Sequence, residues 1–354
     1  MTQLSKHDEQ YQAFLYQKNE KKLRNREAAH AINISEGEAI ANCVGRGAIR
    51  LKNEFPSIIA EVPKLESVMA LTRNEVAVHE KTGVYKNFSY EHVGLVVGPD
   101  IDLRIFFSQW KYGYAVEDKS GDGIQRSLQF FDAVGTAVHK IHLKAASNIE
   151  AWEKLVATFQ DSNQAVGEVL SFSKKPEVFL ADDEVDVDGF RNAWLKMVDT
   201  HDFFMLLKKY KLSRIQGLKF APERHAYQVS NQSLRQMLTA AANDQTSIMC
   251  FVDSSGVIQI HTGPIKNVVE MGEWINIMDP TFNLHLRMDM IAESWVVKKP
   301  TDDGIVTSLE LFDSSKTLVA QFFGERKPGK PELSTWRAIV EKLTLATEQI
   351  KETT

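Results

Sequence analysis

The sequence contains few of the residues that build covalent or metal cross-links. Among its 354 residues are two cysteines, Cys43 and Cys250, which stand alone in different halves of the chain. They support neither a disulfide framework nor a C-x-x-C metal or redox motif, so we interpret both as small packing residues. The ten histidines include no His-Glu-x-x-His sequence, which argues against a zinc site.

Long hydrophobic runs and an excess of positive charge are also missing. No apolar stretch is long enough to span a bilayer, and the first residues have no apolar signal core. We therefore expect a soluble, cytoplasmic protein without membrane insertion. The formal net charge of −5 argues against nucleic acid as the main partner. With 43% hydrophobic and 25% charged residues, the chain has the composition to build two domain-sized cores.

What the chain does contain is an internal duplication. Residues 122–132 read DGIQRSLQFFD and residues 303–313 read DGIVTSLELFD, 181 positions apart. Extending the match, with a three-residue insertion, aligns Trp152 with Trp336. Two long related halves indicate a duplicated domain, and a cleft between them is the first place to seek a ligand.

Each half shows the same order of predicted elements. A helical segment is followed by short β-prone runs separated by turns, and each half closes with a helix, at 149–159 and from 333 to about 351. This order predicts an α+β fold in which each half is a large antiparallel β-sheet with helices packed on one face. We assign an N-terminal repeat, a linker and a C-terminal repeat to residues 1–172, 173–189 and 190–354.

The segment after the linker carries an apolar pattern that includes a histidine. Phe190, Trp194, Met197, His201 and Phe204 recur at spacings of three and four, which predicts one helix with His201 on its buried face. A histidine in such a position is more often a hydrogen-bonded core residue than a ligand. The pattern alone leaves both interpretations open.

Several strings of the sequence occur together in one protein family. Asp199–Phe204 with the preceding Trp194, Asp102–Phe106, Gln321–Arg326 and the duplicated layout resemble the bacterial haem-trafficking and haemin-degrading factors of the HemS/ChuS/HmuS type. The resemblance begins at residues 26–30 and covers nearly the whole chain. The order and separation of the strings make it specific.

The resemblance implies that haem (iron protoporphyrin IX) is held in the cleft between the halves. His201 would be the axial ligand of the haem iron, because a neutral imidazole is an ordinary donor to it. Arg104 would be the distal catalytic residue, a fixed cationic donor on the opposite face, unless it only pairs with Asp102. Phe106 would pack on the macrocycle, while Phe107 points into the core. Cationic or donor side chains that match the family would hold the propionates: Arg214, Lys299, Gln321 and Arg326.

The implied function is haem binding in iron acquisition, followed by breakdown or delivery. As an enzyme, the protein would be a non-classical haem oxygenase that needs an external reductase, because no Gly-x-Gly-x-x-Gly segment opens a nicotinamide or flavin domain. As a carrier, it would accept haem from an importer and pass it to a separate haem oxygenase. A hypothesis from another class is a DNA-binding regulator with a helix–turn–helix in residues 26–43.

Overall fold

A computed structural model describes residues 5–120, 123–168, 170, 177–326 and 329–346. Its chain divides into two compact units. The first comprises Met1–Arg73, His79–Lys174 and Asp253–Gln259, and the second Asn74–Val78, Lys175–Val252 and Ile260–Thr354. Residues 173–176 of the predicted linker lie outside the described residues.

The first unit contains the elements of the N-terminal half. Its helices are α1 (Lys6–Asn19), α2 (Asn25–His30), α3 (Glu36–Ala41), α4 (Phe55–Glu61) and α5 (Ile149–Phe159). The strands of this half are β1 (Ala48–Arg50), β2 (Glu66–Arg73), β3 (Ala77–Gly83), β4 (Ser89–Tyr90), β5 (Gly94–Val97), β6 (Asp102–Ile105), β7 (Tyr112–Ser120), β8 (Gly123–Phe131) and β9 (Ala137–Ser147).

The second unit contains the corresponding elements of the C-terminal half. Its helices are α6 (Val187–Trp194), α7 (Asp202–Tyr210), α8 (Arg214–Lys219), α9 (Ser233–Asn243) and α10 (Ser334–Glu341). The strands of this half are β10 (Ala226–Val229), β11 (Ile248–Asp253), β12 (Val257–Gly263), β13 (Val268–Met271), β14 (Trp274–Met278), β15 (Phe282–Arg287), β16 (Glu293–Thr301), β17 (Gly304–Phe312) and β18 (Leu318–Gly324).

The order of hydrogen-bonded strands confirms the internal duplication. In the N-terminal half the neighbours run β1-β7-β8-β9-β2-β3, with a second group β6-β5-β4. In the C-terminal half they run β10-β16-β17-β18-β11-β12, with a second group β15-β14-β13. The two orders match strand for strand, and the long hairpins β7–β8 and β16–β17 are antiparallel, which confirms the predicted α+β class.

Helices contact both faces of each long sheet, whereas the sequence analysis expected them on one face. In the second unit, Leu309 and Leu311 of β17 pack in a core with Trp336 of α10, whereas Phe312 packs in another core with α6, α7 and α8. The first unit repeats this division, with Trp152 of α5 in one core and α1–α3 in the other. Alternation along a strand sends successive side chains to opposite faces, so each polar residue of β17 can be assigned to a face.

Two smaller predictions are also resolved. Cys43 and Cys250 are both buried free thiols, as predicted. The closing helix α10 ends at Glu341, so the prediction of one continuous helix from residue 333 is wrong at residues 342–345, and residues 347–351 of that prediction lie outside the described residues. The chain leaves the helix because the carbonyl of Thr344 accepts a hydrogen bond from the backbone of Ser230 at 2.9 Å, and Leu345 bridges to Val229 at the end of β10.

Candidate functional site

The segment that carries His201 is not the single helix that its spacing predicts. Helix α6 ends at Trp194 and α7 begins at Asp202, with His201 as the residue that precedes α7. The side chain of His201 is 94% exposed, and Phe204 is exposed as well. The prediction that His201 lies on a buried helix face is therefore wrong, which removes the core-histidine interpretation.

Two aspartates interrupt the helix. One carboxylate oxygen of Asp202 accepts the backbone N–H groups of Val198 and Asp199, both at 3.0 Å, and the carboxylate of Asp199 accepts the N–H of His201 at 2.8 Å. Short polar side chains that bind nearby backbone groups in this way compete with helical hydrogen bonds. The turn is also anchored to the turn between β16 and β17 of the same unit, because the N–H of Asp302 donates to the carbonyl of Val198 at 2.9 Å.

Asp199 also orients the imidazole ring of His201. Nδ1 of His201 lies 2.5 Å from Oδ1 of Asp199, and since an ionised carboxylate only accepts, Nδ1 carries the proton. The pKa of Asp199 lies below its ordinary value, first because of the hydrogen bond from the His201 backbone and also because of the positive charge of Arg326. The second nitrogen of the ring, Nε2, is left as an exposed donor atom for a metal.

A separate cluster in the same unit gathers three of the predicted propionate partners around a carboxylate that the sequence analysis did not identify. Arg214 donates through Nε and Nη2 to the two oxygens of Glu310, at 2.7 and 2.8 Å. The side chains of Lys299 (2.9 Å), Gln321 (3.0 Å) and Ser308 (3.0 Å) donate to Oε1 of Glu310. We name this set of five residues the Glu310 cluster.

Glu310 is held as a charged group in the interior. Its side chain is fully buried, and burial alone would raise its pKa, but the charges of Arg214 and Lys299 outweigh burial and the pKa lies well below its ordinary value. Burial lowers the pKa of Lys299 to about 8, against the opposing effect of Glu310. Both partners are therefore ionised at neutral pH.

Helix α7 connects this cluster to His201. Its first buried residue, Phe203, places its ring centroid 4.6 Å from Nζ of Lys299 and 5.2 Å from the guanidinium carbon of Arg214. The same ring also packs edge-on against Trp194, with centroids 4.9 Å apart. Cation–π contacts of this kind stabilise the two cations on the buried face of α7. Phe203, which makes both contacts, is one residue away from Asp202 and two from His201 in the sequence.

The remaining predicted residues lie elsewhere. Arg326 follows β18 in the second unit, outside the Glu310 cluster, and is half-buried; its charge acts on Asp199 beside His201. Arg104 lies on β6 of the first unit and pairs with the carboxylate of Asp102, which was the alternative interpretation of this arginine. Phe106 follows β6 and is half-buried, while Phe107 is buried in the core as expected, although in a 3-10 turn and not in a strand.

Glu310 was missed although the duplication contained a signal for it. It occupies the position of Gln129 in the repeated phrase, as a charged residue between two leucines in a run that is buried throughout. A charge in such a strand is rarely left without partners. Reading the alternation of β17 would have placed it on the face of α8, where Arg214 begins the helix.

The structure argues against the helix–turn–helix hypothesis. Its second helix would be α3, which begins after Ser35 as predicted, yet Glu36, Gly37 and residues 39–41 are all buried. A recognition helix needs an exposed face to enter the major groove. Among the described residues, no helix is long and apolar enough to cross a membrane, and no group of three or more His, Cys, Asp or Glu residues is arranged to hold a metal ion.

Comparison with known proteins identifies the relatives of this chain. The family model described as "Haemin-degrading HemS.ChuX domain" matches residues 33–159 and again residues 211–343, one match in each half. The hemin transport protein HmuS of Yersinia pestis is 39% identical over 320 residues, which are 90% of this chain and 92% of the relative.

Solved structures agree over nearly the full length. The holo form of PhuS, described as a heme-binding protein from Pseudomonas aeruginosa, has a TM-score of 0.94 and 41% identity, and the match covers 96% of this chain and 100% of that one. ChuS, described as a heme degrading enzyme of Escherichia coli O157:H7, has a TM-score of 0.89 and 35% identity, with 96% and 99% of the two chains covered. The duplicated fold and these matches show that the chain belongs to the haemin-degrading HemS family.

Proposed function

We propose that this protein binds haem through His201 in the second unit, as part of haem-iron utilisation. The observation that carries the proposal is the exposed imidazole of His201, whose Nδ1 is held by Asp199 while Nε2 is free to bind iron. A hydrogen bond from the non-ligating nitrogen to a carboxylate fixes ring orientation and makes the ligand more basic. The relative PhuS is described as a heme-binding protein.

The donor side chains of the second unit suit the carboxylates of such a ligand. Arg214 uses Nε and Nη2 on Glu310, and its side chain is 24% exposed, so its remaining N–H groups can bind a propionate. Lys299, Gln321 and Arg326 complete the proposed set. The roles predicted for Arg104 and Phe106 of the first unit stay predictions from the family resemblance.

Haem supplies a redox-active iron when bound, and the chain supplies the ligand and the donors that orient it. Degradation of haem is the second candidate function, because the relative ChuS is described as a heme degrading enzyme. An external reductase would then be the electron source, and a haem importer or a haem oxygenase would be the partner of a carrier. The cytoplasmic location expected from the sequence is part of this proposal.

A haemin titration followed by visible absorbance tests the ligand assignment. Wild type should give a stoichiometric Soret shift, and His201→Ala should lose or displace it. His225→Ala is the matched control, because His225 also bonds through Nδ1 to an oxygen two residues earlier, the carbonyl of Glu223 at 3.0 Å. Equal spectra for wild type and His201→Ala would contradict the assignment.

Turnover is tested on the haem complex with a reductase, in the presence and absence of catalase. An enzyme should form a ring-opened product that survives addition of catalase. A carrier should yield only the peroxide-dependent damage that catalase suppresses. Arg104→Ala should change the product or its rate if Arg104 is the distal residue.

A further inference from the structure

Glu310 occupies the donors that the proposed ligand also needs. Its Oε1 accepts from Arg214, Lys299, Gln321 and Ser308, and its Oε2 accepts from Arg214. Four of these donors converge on Oε1 and one binds Oε2, and since each carboxylate oxygen has about two lone-pair sites, Oε1 is fully occupied. The chain therefore presents its own carboxylate to the group of side chains proposed to bind a propionate.

The charge balance of the cluster limits how strongly it attracts another carboxylate. Arg214 and Lys299 carry two positive charges, and Glu310 removes one of them. Arg214 keeps one usable edge, since its Nη1 has no hydrogen bond within the part of the chain that the structure describes. An incoming carboxylate meets this edge while Glu310, a like charge, stays a few ångströms behind it.

We infer that Glu310 is an internal competitor for the carboxylates of the ligand, a positioning residue that keeps Arg214 in place and weakens the hold on the ligand so that it is released. The inference rests on the proposed haem function and extends it from capture to release. Two effects of Glu310 oppose each other. It anchors Arg214, which favours binding, and it repels the ligand carboxylate, which favours release.

The repulsion should dominate because the groups are close and partly shielded from water. Near a protein surface, two like charges a few ångströms apart repel each other by more than the cost of ordering one side chain. Neutralising Glu310 should therefore slow the release of a carboxylate ligand. A purely structural role predicts the opposite, since a loosened site releases every ligand faster.

The duplication provides a reason to expect that the neutral variant folds. Gln129 occupies the equivalent position of β8, and Gln129 pairs with Lys140 of β9 in the register in which Glu310 pairs with Gln321 of β18. A glutamine at this strand position is thus compatible with the fold. Glu310→Gln also retains an acceptor oxygen for Arg214 and Lys299.

The test measures transfer of haemin, and of haemin dimethyl ester, from the protein to excess apomyoglobin by stopped-flow absorbance. The ester has the same macrocycle and iron but no carboxylate. Glu310→Gln should slow the release of haemin by about tenfold and leave release of the ester unchanged. Glu310→Asp keeps the charge and should release haemin nearly as fast as wild type.

Glu332→Gln serves as the matched control. Glu332 is a buried glutamate of the same unit that binds the N–H and the hydroxyl of Thr307, at 2.7 and 2.9 Å, and lies outside the Glu310 cluster. Its neutral variant should not distinguish haemin from the ester. Equal or faster haemin release by Glu310→Gln would overturn the competitor role while leaving haem binding intact. Failure of wild type to bind haemin stoichiometrically would overturn both the role and the proposed function.

Discussion

The two units have the same backbone arrangement at the start of helices α3 and α8. The charged side chains at this place have opposite signs in the two units. Helices α3 and α8 both begin after a serine, Ser35 or Ser213, whose hydroxyl accepts the N–H three residues later. The first helical residue then reaches the sheet, as Glu36 in the first unit and Arg214 in the second. A helix-borne carboxylate thus replaces a helix-borne guanidinium.

The strand residues that pair with these helices also differ in charge between the two units. Glu36 pairs with Lys140 of β9, whereas Arg214 pairs with Glu310 of β17. Among the described residues, Oε2 of Glu36 and Oε1 of Gln129 are buried acceptors without a hydrogen-bond partner. At this equivalent place, the described residues of the first unit leave acceptors unpaired, whereas those of the second unit gather donors around Glu310. Duplication preserved the backbone and let the chemistry diverge.

Breaking the two buried ion pairs should produce the largest effects. Lys140→Met leaves the buried carboxylate of Glu36 with no partner among the described residues, which should lower the free energy of unfolding by about 3–5 kcal/mol. Arg214→Met leaves Glu310 with Lys299 and its neutral donors, so we expect a smaller loss of about 1–3 kcal/mol.

Urea denaturation followed by circular dichroism checks this order. Adding Glu36→Gln to Lys140→Met should recover much of the loss, because the unpaired charge is then gone. A larger loss for Arg214→Met than for Lys140→Met would contradict the comparison.

Acid should destabilise the second unit through Glu310, and the neutral Gln129 of the first unit has no such effect. The pKa of Glu310 in the folded protein lies well below its ordinary value of 4.5, chiefly because Arg214 and Lys299 overcome the effect of burial. The stabilising contribution of its charge is complete above pH 4.5 and is lost as the pH falls toward the folded pKa.

Below pH 4.5 this one group should contribute a slope of at most about 1.4 kcal/mol per pH unit to the free energy of unfolding. Denaturation curves of wild type and Glu310→Gln at several pH values measure it. The variant should lack this part of the slope, and parallel pH dependences would disprove the assignment.

Removing the two helix caps should have the smallest effect. Ser213→Ala and Ser35→Ala each remove the hydroxyl that accepts a backbone N–H, at 3.3 and 3.2 Å, so each should cost about 1 kcal/mol of unfolding free energy. The cost of Ser213→Ala should be the smaller, because the backbone N–H of residue 213 still donates to the side chain of Gln216, at 3.0 Å in the wild type, and keeps half of the capping box. Equal melting curves for both variants and wild type would contradict the capping role.

The sequence alone was enough for the features that depend on local pattern or on repetition. The duplicated phrase, the β-prone runs and the capping serine Ser35 specified two α+β halves with the same order of elements. The family resemblance also selected Arg214, Lys299 and Gln321, which the second unit brings together on one carboxylate, while their role toward a propionate stays a prediction. The predictions of fold and cap hold because strand period, turns and caps are properties of short segments.

Tertiary structure determined the positions and partners of the candidate functional side chains. Apolar spacing predicted one helix through His201, but the carboxylates of Asp199 and Asp202 bind backbone N–H groups and end that helix, which exposes the imidazole. The apolar periodicity of a sequence does not show that side-chain carboxylates compete with helical carbonyls for backbone N–H groups. The central place of Glu310 likewise depends on residues 96 positions apart in the sequence, Arg214 and Glu310, meeting across a helix and a sheet. The alternation of β17 indicates that the charge of Glu310 is buried, but which residues pair with it is set by packing, and no local pattern encodes that.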